Sequence, residues 1–391
     1  MASDTKANKM CKRKVAIVYM SFPHYRRGVI RELLKSQFLE VVFVGSLRPI
    51  NGIKTVESSD IPELCVLPFY QIGPFFWQKG IIGLSFRRRF DAIIFLSNPY
   101  FISTWISSIV ARVLGTPVLF WGHGWLGPER GLKRLLRALF YMIPDKFLVY
   151  GERAKQLGVA LGYRSSRIAT IYNSLDMEAI EQVYNSLVFE SGASTSVRAL
   201  FSVPDAPLVV CVARLIPECR FDLLIEAAAQ LERSGMSINV LLIGDGPERA
   251  SLELMARELK VSMQFFGACY DERTIGRLIY SADLTVSPGK IGLSVIHSFG
   301  YGTPAISHGN LDEQMPEVEV IIPNETGLLF RQGDASDLAC AIKRWFEMKC
   351  DRGRVRNSCR EQVLEKWNPL RQREKIEAAV ADLVSRYDRK L

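Results

Sequence analysis

Arg214, Arg220, Gly244, Gly246, Gly289, Lys290, Gly292 and Leu293 lie in short stretches that each follow an apolar run. Val212-Ala213-Arg214-Leu215 closes one run and Gly244-Asp245-Gly246-Pro247 closes the next. A third stretch, Pro288-Gly289-Lys290-Ile291-Gly292-Leu293, leads through His297 to Tyr301-Gly302-Thr303-Pro304. Glycine permits the tight turn from a strand into a helix. The helix start then offers unpaired N–H groups and the positive end of its dipole. An arginine there adds a full charge and a fork of donors. Such turns suit a nucleotide diphosphate held at the carboxyl ends of parallel strands. Arg220 reads either as a phosphate ligand or as a solvated first-turn residue, a cation being unfavourable at a helix start unless an anion is present. Tyr270, in Phe266-Gly267-Ala268-Cys269-Tyr270, either stacks on a base or covers a domain edge.

The first half of the chain carries a second group of reactive side chains. His123 stands between two glycines in Trp121-Gly122-His123-Gly124-Trp125, where its own neighbours pack it poorly and a buried structural role is less attractive than usual. It could hydrogen-bond a ligand or stabilise developing charge. His24, Arg26 and Arg27 follow the first apolar run and form either a phosphate site or a surface loop. Leu132, Leu135, Leu136, Leu139, Phe140 and Ile143 recur at helical spacing with Lys133, Arg134 and Arg137 between them. With Arg87-Arg88-Arg89 and the aromatic-rich segment 69–77, this helix could rest on an anionic bilayer, or it packs on a sheet with its charges in water.

These residues need elements to hold them. Apolar runs at 15–20, 41–45, 92–96, 117–121 and 147–150 read as strands, with a helix over 104–114 closed by Gly115. A second series follows at 208–213, 239–243, 263–266, 284–287, 305–307 and 327–330. Between them the clearest helix is 222–234, with apolar residues at 223, 224, 227, 228 and 231. Residues 359–391 read as one long charged helix. Strands alternating with helices throughout predict doubly wound α/β domains. The length of 391 residues exceeds one ordinary core. The expected division is 1–185, 186–365 and a terminal helix, 366–391.

Composition excludes several classes. No apolar run approaches the ~18 residues that span a bilayer. The eight cysteines form no Cys-x-x-Cys pair, which argues against zinc and disulfide frameworks and for the cytosol. Charge is uneven: residues 1–185 carry 25 Lys+Arg against 13 Asp+Glu, and residues 186–391 carry 25 against 28. An anionic partner for the first half alone accounts for this, as does plain solubility.

The order Arg214, Gly244-Asp245-Gly246, Gly292-Leu293, Gly302-Thr303-Pro304 resembles the C-terminal half of retaining GT-B glycosyltransferases of family 4. The segment Ile168–Asp176, an apolar strand running into Asn-Ser-Leu-Asp, resembles the hinge strand of those enzymes. The resemblance implies the GT-B fold, two Rossmann-like domains facing a central cleft, with the terminal helix returning to the first domain. It also implies transfer of a sugar from a nucleotide sugar to a glycan or lipid-linked acceptor, in surface polysaccharide or glycoconjugate synthesis. The nucleotide sugar is then a substrate, and neither cofactor nor metal is expected; no Asp-x-Asp triad occurs. The implied partners are that donor and the acceptor; the basic first half adds an anionic membrane surface, and nucleic acid is left out. The implied location is the cytoplasm or the cytoplasmic membrane face. Arg214, Arg220 and His123 become the catalytic set. Gly244, Gly246, Tyr270, Gly289, Lys290, Gly292, Leu293 and His297 contact the donor, and His24, Arg26 and Arg27 the acceptor. The chain lacks the Gly pair that many relatives carry after the first strand, and in its second half it departs from the family pattern at three places. Cys219 stands where a phosphate-binding Lys is usual, with Arg220 its substitute, and Gly289 and His297 stand where two glutamates contact sugar and ribose. Those two roles are open or pass to Lys290 and His297. A GT-B nucleotide-sugar 2-epimerase and a non-catalytic GT-B subunit are the alternatives.

Overall fold

The long strands of both sheets form where the apolar runs predict them, because a parallel sheet covered on both faces needs continuous apolar sequence. The short strand Cys65–Val66 and the hairpin formed by the aromatic-rich segment 69–77 are not among those expected. A computed structural model describes residues 12–49, 53–86, 89–127, 131–190 and 192–389. Arg87, Arg88 and residues 1–11 of the basic N-terminus lie outside the described residues.

The chain divides into two compact units: Met1–Trp125, Glu129–Ile171 and Pro369–Leu391 in the first, Leu126–Pro128 and Tyr172–Asn368 in the second. Unit 1 holds β1 (Arg13–Ser21), β2 (Leu39–Ser46), β3 (Cys65–Val66), a β4–β5 hairpin (Phe69–Ile72, Phe75–Gln78), β6 (Ala92–Leu96), β7 (Val118–Gly122), β8 (Lys146–Val149) and β9 (Ile168–Thr170). All but the hairpin make one parallel sheet in the order β3-β2-β1-β6-β7-β8-β9. Unit 2 holds β10 (Leu208–Val212), β11 (Asn239–Ile243), β12 (Met263–Gly267), β13 (Leu284–Ser287), β14 (Ala305–His308) and β15 (Gly327–Phe330), ordered β12-β11-β10-β13-β14-β15. In each sheet the strand order reverses beside the first strand, between β1 and β6 and between β10 and β13. The crevice at the carboxyl ends there is where doubly wound sheets take ligands. Val15 to Val18 and Leu208 to Cys211 are each at most 2% exposed, so both central strands are core.

The helix expected over 222–234 is Phe221–Arg233, with Leu223, Leu224, Ala227, Ala228 and Leu231 all buried. Two expectations shift. The first unit ends at Ile171, not at residue 185, because helix Met177–Phe189 packs on helices Glu272–Ser281 and Leu293–Gly300. Ile180 and Leu187 enter the core of unit 2, and Arg360 bonds Glu181 at 2.7 Å. The single helix expected over 359–391 is two, Arg352–Glu365 and Pro369–Asp388, so the second unit runs to Asn368, not residue 365. Pro369 disfavours helical geometry in the residue before it, and Asn368 Nδ2 caps the first helix on the carbonyls of Val363 (3.3 Å) and Leu364 (2.7 Å). Pro369–Asp388 then packs on helix Arg27–Leu34 and β8 within unit 1, where Arg373 meets Glu32 at 3.0 Å and Lys146 pairs with Asp382.

Candidate functional site

Unit 2 builds its carboxyl edge mostly from backbone. After β10, Leu215 N–H donates to the Asp245 carbonyl (3.0 Å), joining the Arg214 turn to the Gly244-Asp245-Gly246 turn after β11. Gly244 has φ +152°, and a Cβ there would lie 1.8 Å from the Ala213 carbonyl oxygen, so only glycine lets the two turns meet. Gly246 N–H is held by Asp245 Oδ1 at 2.8 Å.

Gly289, after β13, donates its N–H to the Cys219 carbonyl at 3.0 Å. A Cβ on it would fall 2.0 Å from the Glu218 carbonyl oxygen. No side chain, and certainly no glutamate, fits there without moving the β10 turn, so Gly289 can contact a ligand through backbone alone. Lys290 is half exposed, 3.9 Å from Glu313. Gly292 caps helix Leu293–Gly300, and Val295 N–H donates back to it at 3.2 Å. The first amides of that helix therefore open toward the carboxyl edge beside β10.

Arg220 takes a left-handed conformation (φ +51°) and caps helix Phe221–Arg233. Its guanidinium forks on Asp222, with Nε to Oδ1 at 3.1 Å and Nη2 to Oδ2 at 2.9 Å. That bond raises its pKa further, and an incoming phosphate must compete with the carboxylate. His297 faces Glu272: Nε2 lies 2.8 Å from Glu272 Oε1, which also accepts from the Tyr301 hydroxyl at 2.6 Å. Burial works against the charge on Glu272, yet His297 and then Tyr301 draw its pKa below the usual carboxylate range. Tyr301 is raised by its own burial and by Glu272. Sequence reading missed Glu272, because an acid in a first helical turn is commonplace and only the fold sets it against His297. Tyr270, 63% exposed, stands on the turn after β12. A cavity of about 340 Å³, lined in part by Arg198, Asp283, Trp345 and Arg352, opens at the opposite, amino edge of the sheet.

The carboxyl edge of unit 1 is made of side chains. His123 follows β7, its ring 5.0 Å from that of Tyr150 at 77°, and its Nδ1 is shut from solvent without a hydrogen-bond partner. Tyr150, one residue past β8, packs against it, a partner that its sequence neighbours could not show. Arg26 is 6% exposed and donates to the Tyr150 hydroxyl, with its guanidinium 5.4 Å from the Trp121 ring and 5.0 Å from that of Tyr150. Burial first, then the charges of Arg26 and Arg137, lower the His123 pKa to about 4, so the imidazole is neutral at pH 7. His24, Arg26 and Arg27 do not converge. His24 Nδ1 lies 3.2 Å from the Lys54 carbonyl, Arg27 bonds Asp60 at 2.9 Å, and Arg26 alone reaches His123's surroundings. Among the described residues no group of His, Cys, Asp and Glu could hold a metal ion. No described helix is long and apolar enough to cross a membrane.

Two doubly wound parallel sheets with these turns define the GT-B fold. Anabaena Alr3699/HepE, solved with UDP, superposes with a TM-score of 0.73 over 95% of this chain and 100% of that one, at 15% identity. Residues 195–363, which include the turns from Arg214 to Pro304, match the family described as glycosyl transferases group 1. Among curated relatives, a GDP-mannose-dependent alpha-(1-6)-phosphatidylinositol dimannoside mannosyltransferase of Mycobacterium tuberculosis is 34% identical over 113 residues, 28% of this chain and 29% of that protein. The lipopolysaccharide core biosynthesis glycosyltransferase LpsE of Rhizobium meliloti is 31% identical over 150 residues, 38% of this chain and 42% of that one. The chain thus spans less than half the length of these relatives.

Proposed function

We propose that the protein is a retaining glycosyltransferase of the family 4 type, which moves a sugar from a nucleotide-sugar donor to a glycan or lipid-linked acceptor. The observation that carries this reading is the backbone-stapled edge of unit 2, where the Arg214, Gly244 and Gly289 turns meet beside the start of helix Leu293–Gly300. Donors there hold the donor's diphosphate and stabilise the charge that grows on it as the glycosidic bond breaks. The leaving phosphate then takes the acceptor hydroxyl's proton on the same face of the sugar. Arg214, on the turn after β10, supplies a cation. Arg220 joins it once it leaves Asp222. Neutral His123 donates to or accepts from a substrate hydroxyl. The relatives' names are consistent with this reading: one is GDP-mannose-dependent, and one structure holds UDP.

Unit 1 is proposed to rest on an anionic membrane face, where lipid-linked acceptors are presented. Helix Gly131–Tyr141 exposes Leu132, Leu135 and Leu139 beside Lys133 and Arg134, although it buries Phe140 and Tyr141. Apolar and basic side chains on one exposed helix suit an anionic interface.

Incubation with UDP- and GDP-sugars, with and without candidate acceptors, tests the activity. Acceptor-dependent release of nucleoside diphosphate with α-linked product from an α-linked donor supports it. A 2-epimerised nucleotide sugar without acceptor would identify an epimerase instead. Tight nucleotide binding without turnover on any acceptor would favour a non-catalytic subunit, the reading that side-chain-free Gly289 suits best.

A further inference from the structure

Gln314 lies between β14 and the turn Pro316–Val320 and is 3% exposed. Its Oε1 accepts from Ile291 N–H at 2.7 Å and from Met315 N–H at 3.0 Å. Its Nε2 lies 3.1 Å from Ser307 Oγ, 3.3 Å from the His308 carbonyl and 3.5 Å from the Gly289 carbonyl. Two N–H groups on one end and two carbonyls at the other fix which way the amide points. Ser307 Oγ completes the knot by donating to the Ser287 carbonyl at 2.8 Å, with the Gly289 carbonyl 3.3 Å away.

One buried amide thus ties both sides of residues 289–291 to the carboxyl end of β14. On its other flank the same turn is tied to the β10 turn by the Gly289–Cys219 bond. Gly292 and Leu293, whose amides open toward the proposed diphosphate, follow directly. Since Gly289 has no side chain to anchor the turn, the anchor comes from a residue 25 positions later. We propose that Gln314 is a positioning residue for the nucleotide diphosphate: it holds the turn after β13 so that the first amides of helix Leu293–Gly300 meet the phosphates. This rests on the donor site proposed above. The requirement is for an amide, because an ionised carboxylate would set negative oxygen against the Gly289 and His308 carbonyls, and an aliphatic side chain would leave Ile291 and Met315 N–H buried and unpaired.

The test is calorimetric titration of UDP and GDP into the full chain and its Gln314→Leu, Gln314→Glu and Asn239→Leu variants. Asn239 is the control, 1% exposed at the amino end of β11, donating to the Val203 carbonyl at 2.8 Å and accepting from Ser262 Oγ at 2.8 Å. Gln314→Leu is expected to weaken diphosphate binding at least about tenfold, the scale of one lost set of aligned hydrogen bonds. Asn239→Leu is expected to lower the melting temperature similarly and leave affinity within about twofold of the parent. Gln314→Glu is expected to bind weakly at pH 8 and recover as the pH falls, since a protonated acid can again donate to a carbonyl. In turnover assays KM for the donor rises more than kcat falls. Should Gln314→Leu not fold, the pH series on Gln314→Glu decides. Binding by the Gln314 variants as tight as by Asn239→Leu overturns the inference and leaves the donor site standing. Failure of the parent to bind either nucleotide removes the donor site, and the inference with it.

Discussion

The carboxyl edges of the two sheets occupy equivalent places in equivalent architectures and are built in opposite ways. In unit 2, backbone meets backbone: Gly244 against Ala213, Gly289 against Cys219, with Gln314 and Glu272 bonded to what they face. In unit 1, aromatic rings surround Arg26, and Ser21 Oγ, Trp121 Nε1, His123 Nδ1 and Thr170 Oγ1 are buried without partners. Buried polar atoms are normally paired, so four along one edge stand out, against His308 Nδ1 at the end of β14 in unit 2. A ligand held by backbone is recognised by a group every donor shares, such as a diphosphate. Unpaired side-chain atoms suit recognition of one particular molecule.

The comparison breaks most readily at Gly289. Gly289→Glu, which places there the glutamate that the resemblance implies, forces the β10 and β13 turns apart and is expected to abolish nucleotide binding or lower stability by more than about 3 kcal/mol. Calorimetry and thermal melts on that variant check it; normal binding would show that the turns move freely. Next is His123→Ala, expected to lower turnover about 10²-fold or more through loss of one preorganised contact, with little change in melting temperature. A large stability loss with normal specific activity would leave unit 1's edge a packing feature.

Arg220 sharpens the contrast further. Arg220→Ala should weaken diphosphate binding about tenfold, the lower end for a charge-assisted bond already shared with Asp222, and affect monophosphate less. Asp222→Asn, which releases the guanidinium, should tighten it by a few-fold. Opposite signs in the two titrations are required.

The pH dependence of stability should report unit 1. A folded His123 pKa near 4 lies below the ordinary unfolded value of about 6.5, so the unfolded chain binds the extra proton between them. This contribution is complete above about pH 6.5 and is lost as the pH falls toward 4. His123→Phe should flatten that part of the melting curve, and an unchanged slope would place the loss elsewhere. The smallest expected effect is the salt-sensitive sedimentation of the parent with anionic vesicles, screened over about 8–10 Å at physiological ionic strength. Leu135→Glu on the exposed helix face should reduce it, and absence of sedimentation at low salt removes the membrane proposal.

The sequence by itself determined the long strands of both sheets, the existence of two units and the turns of unit 2, but not the short strand Cys65–Val66, the hairpin 69–78 or the unit boundaries. Strand burial demands apolar runs such as Val15–Val18, and close backbone approach demands glycine at fixed places such as 244, so both leave local signatures. Only tertiary structure decided that helix Met177–Phe189 joins unit 2, that Arg26 turns inward while Arg27 bonds Asp60, and that Glu272 faces His297. It also decided that Gln314 reaches back to Gly289. The physical reason is range. Periodicity and turn chemistry act between residues a few positions apart, whereas a side chain's partner is set by which elements fold beside it. No spacing rule joins Gln314 to Ile291 or Arg26 to Tyr150.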